Sequence, residues 1–98
     1  MLFVIHTRDK AGALDLRLAN RQAHLDWLHE AGDRIKAAGP WLDGGDKPAG
    51  SLLIVEMGDR AELDAWLKQD PYAKAGLFDS VEAAPFKWVI NAPEGTGA

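Results

Sequence analysis

Residues 37–57, AAGPWLDGGDKPAGSLLIVEM, decide how the rest of the chain is read. The "AGP" step at 38–40 closes a helical pattern, because Gly suits a helix C-cap and Pro cannot continue the helix. A short strand around Trp41–Asp43 follows. "DGGDKPAG" (43–50) is turn chemistry, and "SLLIVEM" (51–57), rich in branched apolar side chains, is a strong strand. Two strands in direct succession therefore occupy the middle of the chain.

On the N-terminal side, "MLFVIHT" (1–7) is β-branched and aromatic and predicts a strand, and "DKAGA" (9–13) a loop. Helical spacing runs from Leu14 to Ala38, with Leu18, Leu25, Leu28 and Ile35 on one side and Arg17, Arg34 and Lys36 left for solvent or a site. On the C-terminal side, "GDRAELDAWLKQ" (58–69) predicts a helix capped by Asp59, with Leu63, Trp66 and Leu67 as its apolar face. "SVEAAPFKWVI" (80–90) predicts a last strand, with Pro85 at a break or edge position and Phe86, Trp88 and Ile90 sharing one face. "NAPEGTGA" (91–98) is expected to be a disordered tail or a purification remnant.

The order β-α-β-β-α-β predicts an α+β, ferredoxin-like two-layer sandwich, one domain over residues 1–90. Right-handed crossovers place both helices on the same face of the sheet. Leu52, Leu53, Ile54 and Val55 are apolar on both sides of their strand, so the bare face is expected to be covered by a second subunit, giving a homodimer through sheet faces.

Composition narrows the function classes. Ninety-eight residues bury one small core, and 47% hydrophobic with 27% charged residues is ordinary for a globular chain. The net charge of −4, with eleven scattered Lys and Arg, lacks the basic footprint of a nucleic-acid surface, so no nucleic-acid partner is expected. The absence of Cys excludes disulfides, thiolate nucleophiles and cysteine metal sites. "LFVI" is too short for a signal peptide or a membrane span, and a cytoplasmic protein without membrane attachment is expected. His24 and His29, five apart, cannot form the i, i+4 pair of helical metal sites, and there is no glycine-rich phosphate loop. Neither a metal nor another cofactor is expected.

Two residues carry the functional question. In "LKQDPYAKAGLF" (67–78) one helical pattern stops at Asp70-Pro71-Tyr72 and another begins at once. Asp70 suits the N-cap of that second helix with Pro71 in its first position, while a carboxylate has acceptor directions to spare for another partner. His24 falls on the stripe Arg17–Arg21–His24–Leu28–Ala31–Ile35, basic at one end and apolar at the other. It is either a buried histidine satisfied by a backbone carbonyl or an acid–base group at a cleft, and a nearby carboxylate would favour the second. His6 is a sheet histidine or a functional one. His29, among Asp26, Glu30 and Asp33, belongs to the solvated surface. Spacing alone does not bring Asp70 to His24.

Over residues 1–90 the chain resembles the YciI-like family, small dimeric α/β-barrel proteins related to muconolactone isomerase. The resemblance rests on "RQAHLDWL" (21–28), "AAGPWLDGG" (37–45), "GSLLIVEM" (50–57) and "DPYAKAGLFDSVEAAPF" (70–86). It implies a ferredoxin-like protomer, a sheet-packed dimer and a pocket between helices and sheet. It also implies a catalytic His–Asp dyad, which by motif falls on His24 and Asp70. Arg21 would then hold a carboxylate or enolate oxygen, or else form a surface salt bridge. Tyr72 would donate a hydrogen bond or only pack its ring. Gly39 and Pro40 would shape the rim, with Ser51 at the strand start nearby and no nucleophile elbow around it. The expectation is a cofactor-independent lyase or isomerase acting on a small anionic or phenolic molecule, in the manner of a dehydrochlorinase or muconolactone isomerase. The alternative is a non-catalytic dimer that binds a small molecule in the same cleft.

Overall fold

A computed structural model describes residues 1–94. Its elements are β1 (Leu2–Asp9), α1 (Leu14–Ala31), β2 (Ile35–Leu42), β3 (Pro48–Glu56), α2 (Arg60–Leu67), α3 (Pro71–Lys74) and β4 (Phe78–Pro85). The four strands form one antiparallel sheet in the order β2-β3-β1-β4, the ferredoxin-like arrangement.

Strand parity sorts the sheet into two faces. Phe3, Ile5, Leu53 and Val55 point toward the helices and form the core with Met57 and Leu63, joined at its edge by Leu28, Ile35, Trp66 and Leu67. Helices α1 and α2 therefore cover the same face. The opposite face carries Val4, Leu52, Ile54 and Ala84, and Leu52 is 45% exposed. On this face the Trp41 indole reaches from β2 across β3 and donates from Nε1 to the Thr7 carbonyl on β1, at 2.7 Å. Gly50 lies beneath it. A Cβ there would stand 1.9 Å from the Thr7 carbonyl oxygen and 2.2 Å from Trp41 Nε1, so the indole crosses only because that position has no side chain.

Strand β1 runs two residues further than read, to Asp9, and the larger differences from the sequence reading lie in α1, β2, β3 and β4. Helix α1 stops at Ala31, not Ala38, because Gly32 adopts φ 59°, a left-handed value that L side chains disfavour, and opens a single turn of 3₁₀ helix. Ile35–Ala38 then join β2, eight residues long, where pairing with β3 and a place for Ile35 beside the core outweigh the helix-compatible composition of the segment. Strand β3 begins at Pro48, three residues early. Strand β4 begins at Phe78 and ends at Pro85. Phe86, Trp88 and Ile90 thus do not share a strand face. Phe86 N still donates to Leu2 O at 2.9 Å, after which Trp88 turns its indole back onto the Ile90 carbonyl, and Val89 and Ile90 are exposed. Both Pro40 and Pro85 lie on edge strands, where a missing N–H costs no ladder bond. Residues 91–94 belong to no helix or strand, and the remainder of the expected tail lies outside the described residues.

Candidate functional site

The helix-facing series along each strand changes character from one end to the other. On β1, Phe3 and Ile5 are followed by Thr7 and Asp9. On β3, Val55 and Leu53 are followed by Ser51. Helix α1 shows the same gradient, since its buried positions are Trp27, His24 and Arg17. One end of the sandwich is therefore apolar and the other polar.

At the polar end α3 supplies the carboxylate. Asp70 is the N-cap of α3, with Pro71 in the first turn, and its Oδ1 accepts from the Tyr72 backbone N–H at 2.9 Å. The same oxygen contacts His24 Nδ1 at 2.8 Å, so capping and the histidine contact use one atom and not two. Histidine and aspartate side chains are 6% and 4% exposed. A carboxylate that already takes one N–H is acting as an acceptor, which assigns the imidazole proton to Nδ1 and leaves the Nε2 lone pair directed away. Among the described residues no side chain bonds Nε2, and no fully buried side-chain nitrogen or oxygen lacks a partner. Nε2 accordingly reaches the cavity that His24 lines.

That cavity has a volume of about 290 Å³ and lies between α1 and the β2–β3 edge of the sheet. Arg17, Arg21, His24, Ser51 and Tyr72 form its polar wall, and Leu18, Leu25, Leu28 and Pro40 are among its apolar lining. Tyr72 is stacked on His24 with ring centroids 4.0 Å apart and planes 15° apart, and Phe78 meets it edge-on. Burial holds the Tyr72 phenol above its ordinary value against the opposing pull of Arg17, so it remains a neutral donor well past neutrality. Arg21 is exposed at the mouth, and among the described residues nothing pairs with its guanidinium. A larger depression of about 610 Å³ lies on the other side of α1, over the stacked Trp27 and Trp66 rings. It is wide open and contains none of the candidate catalytic or substrate-binding residues.

Of the candidate site residues, His24, Arg21, Gly39, Pro40, Ser51 and Tyr72 line the smaller cavity, and Asp70 stands behind the imidazole. Sequence reading left Arg17 open between solvent and a site, and gave Asp9 and Thr7 no part in it. Arg17 is buried, donates from Nη1 to both Asp9 oxygens at 2.9 and 3.2 Å, and from Nη2 to Ser51 Oγ at 2.9 Å. Ser51 N in turn donates to Thr7 Oγ1 at 2.9 Å. The parity of β1 held the signal, because Thr7 and Asp9 continue the inward series of Phe3 and Ile5. His6 stacks on Trp41 on the opposite sheet face, and His29 is exposed; neither belongs to the cavity. Among the described residues no group of three or more His, Cys, Asp or Glu side chains could hold a metal ion. None of the described helices is long and apolar enough to cross a membrane.

Residues 1–87 match the YCII-related domain. Protein YciI of Escherichia coli O6:H1 is 41% identical over an alignment covering 92% of this chain and all of that one. The chain belongs to the YCII-related family. A protein of Haemophilus influenzae (strain ATCC 51907) is 34% identical over the same share of both chains. Among solved structures, 5-chloro-2-hydroxyhydroquinone dehydrochlorinase (TftG) of Burkholderia phenoliruptrix AC1100, in complex with 2,5-dihydroxybenzoquinone, is similar with a TM-score of 0.88 and 33% identity, covering 95% of this chain and 100% of that one. An antibiotic biosynthesis monooxygenase at 21% identity and a TM-score of 0.57 shares the fold, covering 91% of this chain and 99% of its own.

Proposed function

We propose that this YCII-related protein is a cofactor-independent lyase or isomerase that moves a proton on a small anionic or phenolic molecule. The observation that carries the reading is the 2.8 Å contact between His24 and Asp70 behind a cavity wall to which Nε2 is free. Nε2 takes a proton from a hydroxyl or carbon of the bound molecule. The freed electron pair either expels a leaving group such as chloride or is reprotonated at another carbon, so no oxidant or reductant is required. Asp70 stabilises the imidazolium that forms and keeps its orientation. Arg21 and the neutral Tyr72 hydroxyl receive the developing negative charge on oxygen. The family tie and the likeness to a dehydrochlorinase support this choice of chemistry.

The test uses 5-chloro-2-hydroxyhydroquinone as substrate and 2,5-dihydroxybenzoquinone as binding probe. Chloride release by the native protein, lost in His24→Gln while probe binding and melting temperature are kept, is the expected result. Reversible binding with neither chloride release from this substrate nor proton exchange on related phenols points to the non-catalytic binding protein instead. Full activity in His24→Gln removes the imidazole from the mechanism.

The reading includes a homodimer formed through the helix-free sheet face, supported by the exposure of Leu52 beside Val4, Ile54 and Ala84. Sedimentation should give twice the chain mass, and a monomer at micromolar concentration removes that part of the proposal.

A further inference from the structure

Arg17 and His24 are seven residues apart on α1, about 10.5 Å along a helix axis. An aromatic ring from α3 fills the interval. The Tyr72 centroid is 4.0 Å from the imidazole centroid and 4.7 Å from the Arg17 guanidinium carbon. Both outer members are fixed from behind, His24 by Asp70 and Arg17 by Asp9 and Ser51. Tyr72 is 2% exposed, yet no buried oxygen among the described residues is unsatisfied, so its hydroxyl opens into the cavity between its two neighbours.

We infer that Arg17, anchored by Asp9 and Ser51, is a positioning residue that clamps the Tyr72 ring against His24 and so fixes the distance between the Tyr72 hydroxyl and Nε2 at the cavity wall. The physical reason for an arginine is its shape and charge. A planar guanidinium stacks on a ring face while its edge donates to Asp9 and Ser51 at once, and a lysine ammonium cannot do both. The pairing with Asp9 spends the Arg17 charge internally, which leaves Arg21 as the cation offered to a ligand. Thr7 sets the last link by accepting the Ser51 backbone N–H and thereby holding Ser51 under Arg17. This deepens the reading proposed above, because it concerns the same cavity.

Tyr72 is the only tyrosine, so the tyrosinate absorbance band reports on it alone. The variant to use is Arg17→Met together with Asp9→Asn, which leaves no orphan carboxylate in the interior. Its Tyr72 titration midpoint should move upward and 2,5-dihydroxybenzoquinone should bind about tenfold more weakly, the scale of a desolvated cation–ring contact. Arg17→Lys should restore the midpoint but not the affinity. In ¹³C-tyrosine NMR the native ring should flip slowly, and Ser51→Ala, which keeps the charge and frees one anchor, should speed the flip. An unmoved midpoint in the folded double variant, or a flip rate unchanged in both Ser51→Ala and Arg17→Lys, overturns the clamp. The titration and the NMR need no substrate, so they stand or fall apart from any turnover by His24.

Discussion

The two ends of the helix-covered sheet face are buried to the same degree and held together by different physics. At the α2 end, Val55, Met57 and Leu63 lie within 2% of full burial in the apolar core, which meets a polar group where Arg34 Nη2 donates to the Met57 sulfur. At the α3 end lie Thr7, Arg17, His24, Ser51 and Asp70, the buried polar side chains of the described residues. Hydrogen bonds link Thr7 to Ser51 to Arg17, the Tyr72 ring bridges Arg17 to His24, and His24 meets Asp70. A continuous polar chain thus replaces oil at one end of a very small protein. An apolar core tolerates approximate shape, whereas a buried polar chain must have every member satisfied, so the second kind fixes atoms in place at a cost in stability.

Substitutions can break this contrast in order of size. Leu63→Ala, at a fully buried position, should lower unfolding free energy by about 2–5 kcal/mol in urea titration while leaving the activity of the folded fraction intact. A comparable loss of activity per folded molecule would mean that the two ends are not independent. Asp59 and Asp70 offer a matched pair, since each caps a helix by accepting a backbone N–H at 2.8 and 2.9 Å. Asp59→Ala should cost about 1 kcal/mol, the value of a cap. Asp70→Ala should cost roughly 1–3 kcal/mol more, because it also strands the buried Nδ1–H of His24. Equal costs in denaturant titration would show that the histidine contact adds nothing to stability.

The smallest effect lies at alkaline pH. Burial raises the Tyr72 phenol above its ordinary value of 10.0, so the unfolded chain loses this proton first. The stability linked to the neutral phenol is complete below pH 10 and drains away as pH rises through the folded value. Tyr72→Phe should therefore show a shallower loss of stability above pH 10 than the native protein. Parallel curves would place the phenol in a more solvated setting.

Sequence pattern carried the fold, the family resemblance pointed to the residues that line the cavity, and pattern failed where two local signals competed. The chain offers two glycines that suit a helix end, Gly32 and Gly39, and the second is strengthened by Pro40. Pairing of Ile35–Ala38 with β3 chose the first, a tertiary preference that no local window contains. The strand in 80–90 was overextended for a related reason. Phe86, Trp88 and Ile90 alternate as a strand should, yet they run past Leu2, the last β1 position that offers them a partner. Within the site, capping chemistry located Asp70 and helical spacing placed His24 on a face with Arg21. Their meeting across forty-six residues depended on where α3 docks. Arg17 was visible on the same stripe but read as a cation for solvent or ligand. Its role emerges only with Asp9 and Ser51, which come from two other elements.

The double duty of one Asp70 oxygen has a consequence for how related chains diverge. Under the function proposed above, selection for a stable bend before Pro71 and selection for a poised imidazole would act on the same atom. A lineage that had abandoned the proposed chemistry would still gain about 1 kcal/mol from the acid as a cap, while the histidine would be free to drift. The imidazole, not the carboxylate, is the position at which a silent relative gives itself away.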